Sequence, residues 1–322
     1  MRICVLTDEE PVDFNPAPFL EGFDWEMVTV TDPVMDVLRA LDARKEFDLY
    51  LNLCEGYERD ESADWDYQGI EVVRALEELN LPFTGAPSSF FDPTREEMQA
   101  AADRNGVGFA KGCQVKSVEE AERLVKNLHY PIMVKHPKSY GSTGMFRHSK
   151  VTTPEQLHVQ VERVCEEFGA ARMEEFIEGR EYNVLVVDNP NDLENPIAYP
   201  PAELIFPPGE EFWHTDIKWD YNVPFDFKEV TDPDLVKRLH DIAIRMYKAM
   251  DGVAYGRCDI RMNEKGELFI LEINPNTAIM LQPKEYGPAD YMILYDPGGY
   301  RLFFDRIFKV ALMRYKMKSD VK

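Results

Sequence analysis

RCDIRMNEKGELFILEINPN, the stretch from Arg257 to Asn276, decides the architecture that we predict for this chain. Two strand-like runs flank the turn-forming residues Asn-Glu-Lys-Gly, which predicts a β-hairpin. Pairing the runs symmetrically about this turn places Arg257 opposite Glu272 and Asp259 opposite Ile270. Side chains alternate between the two faces of a strand. Four polar residues therefore share one face: Arg257, Asp259, Glu272 and Asn274.

Oxygen donors and one cation converge on that face. A buried lone carboxylate is costly, so a positive group should compensate it. Oxygen-only ligands are typical of Mg²⁺, which usually keeps water and substrate phosphates in its shell, and they also suit Mn²⁺. We interpret Asp259, Glu272 and Asn274 as metal ligands, because an ion pair has no need of the neutral asparagine. The alternative is a sheet edge on which Arg257 pairs with Glu272.

Length and charge narrow the classes of function. The chain has 322 residues, enough for two or three domains with sizeable cores. Its net charge of −23, from 36 basic and 59 acidic residues, argues against general affinity for nucleic acid and for anionic membranes. This net charge is still compatible with a local basic pocket for a nucleotide.

Cysteine usage and hydropathy predict a cytoplasmic protein. The five cysteines are widely spaced without a Cys-x-x-Cys pair, which is typical of free thiols in a reducing compartment. No apolar stretch approaches the roughly 18 residues of a membrane span. The N-terminal residues MRICVLTDEEP turn acidic after a short strand, so we expect no signal peptide.

The order of elements predicts an α/β fold. Runs typical of strands (RICVL, DLYLNL) alternate with runs of helical spacing (PVMDVLRALDARKEF, YQGIEVVRALEELN) in the first 90 residues. This alternation indicates a parallel sheet with helices on its faces. Further strands are predicted at YPIMVKH and REYNVLVV, and further helices at PEQLHVQVERVCEEF, PDLVKRLHDIAIRMYKAM and RLFFDRIFKVALMRYKMK.

Two more segments carry chemistry. In MVKHPKSYGSTGM, Lys135 ends an apolar strand and a loop of glycine and hydroxyl residues, 141–144, follows. Glycines let backbone N–H groups approach a phosphate and the lysine supplies a charge, but flexible loops of this composition are common. In MEEFIEGREYNV, a carboxylate such as Glu181 can accept ribose hydroxyls, and the backbone beside Phe176 can read a base. Taken alone, this second segment is better interpreted as a solvated acidic connection between two strands.

Taken in order, these three segments resemble the ATP-grasp superfamily and, within it, the D-alanine–D-alanine ligases. The N-terminal LNLCEG and YQGIEVVRALEELNLPFTG resemble that family's Asn…Gly…Gln-Gly…Leu-Pro-Tyr-Thr-Gly segment. The resemblance implies an α/β (α+β) protein with an N-terminal parallel α/β domain and two domains that clamp ATP. We place these domains at residues 1–90, 91–179 and 180–322, with the metal and substrate site in the last.

Residue roles follow from the resemblance alone. It implies that ATP contacts ten residues: Lys135, Ser142, Thr143, Gly144, Glu174, Glu175, Phe176, Ile177, Glu181 and Lys218. Asp259, Glu272 and Asn274 match the metal ligands. Arg257, Lys218 and Ser142 match the catalytic positions, and Arg257 would stabilise the reaction intermediates. Homodimerisation is also implied only by this resemblance.

The implied activity is an ATP- and Mg²⁺-dependent ligation of a carboxylate to an amine. Phosphorylation would convert the carboxylate into an acyl phosphate, which an amine can attack, with release of ADP and phosphate. Water must be excluded from such an intermediate. The loop Pro207–Val223 is long enough to serve as a lid.

The amino-acid half departs from the family pattern. TDEEPVDF replaces the N-terminal glycine-rich loop, with Glu9 or Glu10 as unaligned substitutes, and Trp219 replaces a tyrosine after Lys218. NPNTAIMLQP lacks the usual glycine and should add apolar surface near the acceptor. In FDPTREEM, Pro93 stands where the family has Asp-Lys, so one adenine-side lysine is missing, and Arg95 is a candidate to replace it.

Three interpretations remain open. The chain is a carboxylate–amine ligase that does not act on two D-alanines, a D-alanine–D-alanine ligase with unusual contacts, or a nucleotide-binding protein without ligase activity. The first leads, because the nucleotide-side residues are kept and the substrate-side residues are not.

Overall fold

The structure is a computed structural model that describes residues 1–8, 15–54, 69–138, 142–218 and 225–320. Three β-sheets organise these residues, and each takes its strands from a separate part of the chain. Trp219, Glu9 and Glu10 lie outside the described residues, as do the first residue of the loop 141–144 and residues 219–223 of the predicted lid.

The N-terminal sheet is parallel, with the strand order β2-β1-β3. Its elements are β1 (Arg2–Thr7), β2 (Asp24–Thr29), α1 (Val34–Arg44), β3 (Leu49–Asn52) and α2 (Gly69–Glu78). The predicted parallel α/β unit is therefore confirmed. The strand β2 was not predicted, although DWEM alternates polar and apolar residues, and its DWEMVT side chains are mostly half-buried.

The second sheet is antiparallel, with the order β4-β7-β5-β6, and the short helix α4 and the longer α5 pack against it. Its own core of buried aliphatic side chains includes Val134, Val161 and Met173. The elements of this region are α3 (Arg95–Arg104), β4 (Gly112–Val115), α4 (Val118–Leu124), β5 (Ile132–Lys135), β6 (Lys150–Val151), α5 (Pro154–Phe168) and β7 (Ala171–Glu175).

The third sheet has the order β11-β10-β8-β12-β13, and β9 pairs with β8. All its pairings are antiparallel, so the parallel arrangement holds only for the first sheet. Its strands are β8 (Arg180–Val187), β9 (Ile197–Ala198), β10 (Ala202–Ile205), β11 (Asp226–Glu229), β12 (Tyr255–Met262) and β13 (Leu268–Pro275). The helices of this region are α6 (Thr215–Lys218), α7 (Pro233–Ala249), α8 (Pro288–Tyr295) and α9 (Gly299–Asp320).

The predicted hairpin forms, but its register differs from the symmetric one. Arg257 lies opposite Asn274 and Asp259 lies opposite Glu272, whereas Ile260 lies opposite Ile270. The register shifts next to Asp259, so one residue of β13 is extra, as in a β-bulge. Our expectation of Arg257 opposite Glu272 was therefore wrong. The shared face survives, because residues directly opposite each other point to the same side of a sheet.

The helix α7 covers one face of the third sheet, and α8 packs on part of the other face, whose remainder forms the site. The helix α7 packs on β8, β12 and β13, and the buried side chains there include Val184, Ile260 and Ile273. At about 25 cal/mol for each Å² of buried apolar surface, such a layer is what holds these strands in place. Polar side chains of the same strands must therefore point to the opposite face.

Further features complete the description. All five cysteines are free thiols, as predicted. Among the described residues, none of the helices combines the length and the apolar character that crossing a membrane requires.

We propose the divisions 1–90, 91–179 and 180–322 as the domains of the chain, since each contains the strands of one sheet.

Candidate active site

The face of the third sheet opposite α7 carries a grid of polar side chains across three adjacent strands. In the strand register Glu181 faces Arg261, Asn183 faces Asp259, and Asp259 faces Glu272. We call this grid the polar face and define it by seven residues: Glu181, Asn183, Arg257, Asp259, Arg261, Glu272 and Asn274.

Asp259 is the centre of a hydrogen-bond network on the polar face. Its Oδ1 accepts from Arg257 Nε at 2.7 Å and from Asn183 Nδ2 at 2.7 Å. Its Oδ2 accepts from Arg257 Nη2 at 2.9 Å and from Asn274 Nδ2 at 3.0 Å. Burial raises the pKa of Asp259, and the guanidinium of Arg257 opposes that rise. The Nη1 of Arg257 donates to Thr277 Oγ1 at 2.9 Å, so this cation is held from two sides.

Glu272 is bound by a cation from a distant part of the chain. Arg95 Nη2 lies 2.6 Å from Glu272 Oε2, and the arginine is buried. Arg95 is the first residue of α3, where a capping box fixes the start of the helix: Glu97 N donates to Thr94 Oγ1, and Thr94 N donates to Glu97 Oε2. The alternative interpretation, an ion pair between Arg257 and Glu272, was wrong, since Arg257 pairs with Asp259.

Lys135 brings a further cation from the second sheet. At the end of β5, its buried Nζ forms an ion pair with Glu174, whose other oxygen lies 3.4 Å from Arg172 Nε. Burial and Arg95 lower the pKa of Lys135 to about 8, although Glu174 and Glu272 oppose this. Glu174 is thus a buried strand residue, and the interpretation of this segment as a solvated connection was wrong.

The electrostatic state of Glu272 follows from these neighbours. Burial alone would raise its pKa, but the charges of Arg95, Lys135 and Arg257 hold that pKa well below its usual range. Glu272 is therefore ionised without help from any bound ion. We call the surroundings of Glu272 and Asp259 the phosphate end of the polar face.

The other end of the polar face meets the hinge segment, residues 174–177. Arg261 Nε donates to Glu181 Oε2 at 2.9 Å, and Arg261 Nη1 donates to the carbonyl of Ile177 at 2.9 Å. The centre of the Phe176 ring lies 4.7 Å from the guanidinium carbon of Arg261. Burial raises the pKa of Glu181 against the pull of Arg261. We call this region the base end.

Glu175 does not contribute its side chain to the base end. Its Oε1 lies 2.8 Å from His129 Nδ1 and accepts from His129 N at 3.0 Å. His129 is mostly exposed, so this carboxylate points away from the polar face. Only its backbone remains a candidate for contact with a nucleotide.

Two loops are joined to each other by hydrogen bonds of Thr215. Thr215, which begins α6, donates its hydroxyl to the carbonyls of Ser142 at 3.0 Å and Met145 at 2.9 Å. Lys218 ends that short helix. The lid segment, residues 207–218, is therefore attached to the glycine-rich loop that carries Ser142, Thr143 and Gly144. A Cβ on Gly144 would lie 2.5 Å from the ring of Phe168, and the φ of Gly144 is +66°, so only glycine fits there.

The residues at the phosphate end fit a divalent cation. One amide nitrogen, Nδ2 of Asn274, lies 3.0 Å from Asp259 Oδ2 and 3.2 Å from Glu272 Oε1. One carboxylate oxygen of Asp259 and one of Glu272 thus approach the same amide nitrogen of Asn274. Rotating this amide by half a turn would place its oxygen, a metal ligand, at that point instead. The described residues contain no candidate metal cluster of three or more His, Cys, Asp or Glu side chains, and this set has two carboxylates and one amide.

The residues also fit a nucleotide. Arg95 and Lys135 place two buried cations beside Glu272, one of the metal candidates. No hydrogen bond among the described residues uses the N–H of Ile177, which leaves a donor at the hinge for an acceptor on a base. The base end and the phosphate end lie along the same strands, as a nucleotide requires.

The segment after the metal candidates differs from our expectation. Ile279 and Met280 are buried in the core formed with α8 and α9, so NTAIM adds no apolar surface near an acceptor. The N–H of Met280 donates to Asp290 Oδ1 at 2.7 Å and to the hydroxyl of Tyr300 at 3.0 Å. These buried partners fix the course of the segment.

The structure thus joins most of the predicted residues and adds two that the sequence analysis missed. Arg257, Asp259, Glu272 and Asn274 form one network, as predicted from their shared face. Arg261 and Asn183 were missed, although each stands two residues from a candidate, Asp259 and Glu181, on the same strand. Extending the period-two alternation by one step would have found both.

Comparisons with known proteins agree with this geometry. The sequence profile of the family described as D-ala D-ala ligase C-terminus matches residues 107–280, more than half of the chain. The D-alanine–D-alanine ligase of Marinomonas sp. (strain MWYL1) is 23% identical over 71% of this chain and 68% of its own length.

Solved structures share the fold. The D-alanine–D-alanine ligase of Coxiella burnetii superposes with a TM-score of 0.70 at 16% identity, covering 100% of this chain and 96% of its own. The D-alanine–D-alanine ligase of Bacillus anthracis complexed with ATP gives a TM-score of 0.68 at 17% identity, covering 99% of both chains.

Proposed function

We propose that this chain, which belongs to the D-alanine–D-alanine ligase family and has its ATP-grasp fold, activates a carboxylate at the phosphate end of the polar face and joins it to an amine. Membership makes it an ATP-dependent carbon–nitrogen ligase that uses Mg²⁺. The observation that carries the assignment of the site is the convergence of Arg95, Lys135 and Arg257 on Glu272.

The reaction has two steps, phosphorylation of the carboxylate and attack by the amine. A carboxylate oxygen attacks the γ-phosphorus of ATP, the bond to ADP breaks, and an acyl phosphate forms. The amine nitrogen then attacks the acyl carbon, phosphate leaves, and the amine loses a proton. Splitting the reaction in this way replaces oxide, a poor leaving group, with phosphate.

The chain's own residues supply binding and charge in these steps. Asp259, Glu272 and Asn274 would hold Mg²⁺, which neutralises phosphate charge when bound. Lys135 and Lys218 would hold the phosphates as point charges. Arg257, which is fixed by Asp259 and Thr277, would face the charge that develops on the reacting groups.

The nucleotide would lie along the polar face with its base at the hinge segment. Glu181 would accept the ribose hydroxyls, and the backbone of residues 174–177 would contact the base. The loop with Ser142, Thr143 and Gly144 would cover the phosphates, and Ser142 would also orient the reacting groups. The lid segment, tied to that loop by Thr215, would exclude water from the intermediate.

We propose substrates other than two D-alanines. This rests on the sequence departures at Trp219 and at the N-terminal TDEEPVDF, because a site that has lost its matching polar groups loses its preference strongly. The buried Ile279 and Met280 remove the argument for an apolar acceptor, so we propose no hydrophobic substrate class. Free thiols throughout the chain support a cytoplasmic setting.

Synthesis of D-alanyl-D-alanine is the second candidate. The relatives and the two solved structures reported above are D-alanine–D-alanine ligases by name. This favours D-alanine as a substrate of this chain, even though the residues that would hold it differ.

A screen for phosphate release tests the proposal. The chain is incubated with ATP and Mg²⁺ and pairs of amino acids or small carboxylates, and ADP, phosphate and the coupled product are measured. We expect release that requires both a carboxylate and an amine. Nucleotide binding without release by any pair would favour a non-catalytic protein instead. An arm with D-alanine alone separates the two substrate candidates by whether the dipeptide forms at roughly 1–10³ s⁻¹.

A further inference from the structure

We propose that Arg261 is a positioning residue that joins the base end of the polar face to the lid segment, so that nucleotide binding and lid closure depend on one guanidinium. The inference rests on the proposed function and assigns a role to a residue outside the matched family positions. The contacts of Arg261 carry it.

Arg261 is almost fully buried and its donors point in three directions. Nε donates to Glu181, Nη1 donates to the carbonyl of Ile177 in the hinge segment, and Nη2 donates to the carbonyl of Glu211 in the lid segment. A planar guanidinium can satisfy three such partners at once, and an ammonium on a flexible chain cannot reach them in this geometry. The side chain therefore links the hinge segment and the nearby Glu181 to the lid segment, which lies further along the chain.

The lid segment is also attached to the hinge segment around this arginine. The carboxylate of Glu211 forms an ion pair with Lys150, whose Nζ lies 4.2 Å from the centre of the Phe176 ring. The ring of Phe212 lies 5.8 Å from that of Phe176 in an edge-to-face arrangement. Arg261 and Lys150 thus place two cations on Phe176, and both of them hold Glu211.

Arg261 also opposes the rise that burial causes in the pKa of Glu181. Both side chains are buried, and the charges of Asp259 and Glu272 act against ionisation of Glu181. Breaking a buried ion pair leaves an uncompensated charge, which is strongly unfavourable. The carboxylate proposed to accept the ribose hydroxyls is thus paired and oriented by the residue that also holds the lid segment.

These contacts make nucleotide binding and the ordering of the lid segment interdependent. A nucleotide that binds Glu181 and the hinge segment stabilises the arrangement that Arg261 holds, and that arrangement includes Glu211. The lid segment should then become more ordered when ADP binds, and ordering it should in turn favour ADP, as reciprocal coupling requires.

Two substitutions at Arg261 distinguish the effect of its charge from the effect of its separate hydrogen bonds. Arg261→Met removes all of them. Arg261→Lys keeps a charge for Glu181 but lacks the second and third donor directions. The matched control is Arg180→Met, because Arg180 is an arginine on the same strand as Glu181 that points to the opposite face and pairs with Glu203.

The experiment measures two quantities on the full chain. Calorimetry gives the affinity for ADP, and hydrogen exchange gives the protection of residues 207–218 with and without ADP. We expect Arg261→Met to weaken ADP binding about tenfold or more, as loss of a charge-assisted network would, and to abolish the protection that ADP induces. Arg261→Lys should lose that protection while keeping affinity within a few-fold, and Arg180→Met should change neither.

Three results would overturn the inference: unchanged ADP affinity in Arg261→Met, wild-type lid protection in Arg261→Lys, or equal effects in Arg180→Met. If Arg261→Met does not fold, the lid protection of Arg261→Lys decides alone. A wild-type chain that binds no ADP would contradict the proposed function itself, and the two failures are thus distinguishable.

Discussion

The two ends of the polar face each hold a glutamate, and the pKa values of these two glutamates are shifted in opposite directions. At the phosphate end, Glu272 is surrounded by Arg95, Lys135 and Arg257, and its pKa is lowered. At the base end, Glu181 has Arg261 as its one close cation among the charges that shift it, and burial raises its pKa. Both carboxylates belong to strands of one sheet, with β12 between them, so the surrounding charges and not the sheet make the difference.

This contrast indicates what each end can hold. Cations from three regions of the chain gather at the phosphate end, where a metal ion and several phosphate charges must be accommodated. At the base end Arg261 and Glu181 form a single ion pair, and the rings of Phe176, Phe206 and Phe212 lie around it. Such a mixture of aromatic rings and single polar groups suits an uncharged base and its ribose.

The largest effect is expected from Glu272→Gln. The variant keeps the shape of the side chain and loses the charge on which Arg95 and the metal ion would both depend. Turnover of ATP with Mg²⁺ should fall by about 100-fold or more, as when a key electrostatic group is removed, while thermal unfolding still shows a folded chain.

The matched control for this change is Glu203→Gln, since Glu203 pairs with Arg180 on the opposite side of β8. The control should leave turnover unchanged. Near-normal turnover of Glu272→Gln at limiting Mg²⁺ would show that Glu272 is not a metal ligand. The proposed difference between the two ends of the polar face would then be wrong.

A smaller effect is expected from Lys135→Ala. Loss of this buried charge should weaken ATP binding by roughly 1–3 kcal/mol, about 5- to 150-fold, because a charge-assisted contact is lost. Calorimetry with ATP and with GTP measures the loss, and wild type should prefer ATP. Lys138→Ala, three residues away and exposed, is the control. Equal ATP affinity in wild type and Lys135→Ala would show that the phosphate end does not need this cation.

Asn183→Ala tests how Asp259 is oriented. Asn183 Nδ2 donates to Asp259 Oδ1, and no hydrogen bond among the described residues reaches its own buried Oδ1. Removing the donor should raise the Mg²⁺ concentration for half-maximal turnover by about 5- to 10-fold, near 1 kcal/mol, with little change in the affinity for ADP without metal. A shift in ADP affinity alone would place Asn183 with the base end instead.

The smallest effect is a pH dependence. The pKa of Lys135 is about 8 in the folded chain, against an ordinary value of 10.5, with Glu174 and Glu272 raising it and burial and Arg95 lowering it. Between these values the unfolded chain holds a proton that the folded chain has lost, so this lysine increases stability as pH rises from about 8. Over the same range it loses the charge that binds phosphate.

ADP affinity should therefore fall by a few-fold, and by roughly tenfold at most, between pH 7 and pH 9. Calorimetry at several pH values measures the decline, and Lys135→Ala should not show it. A decline of equal size in that variant would assign the titration to another group.

The sequence determined the elements whose signal is local. Alternation along the hairpin placed Arg257, Asp259, Glu272 and Asn274 on one face, and the structure confirms that they meet. Glycine 144 and the strand ending at Lys135 were likewise readable, because a backbone requirement and an apolar run are properties of adjacent residues. Arg261 was readable by the same alternation and was overlooked.

Only the tertiary structure decided which charges meet. The extra residue in β13 put Glu272 opposite Asp259, and the capping box at Thr94 brought Arg95 to Glu272 from 177 residues away in the chain. Lys135 arrives from another sheet, and Ile279 and Met280 turned into the core and not toward a substrate. Spacing in a sequence fixes which face of a strand a side chain takes, but partners from other segments are chosen by packing, and packing depends on the whole chain.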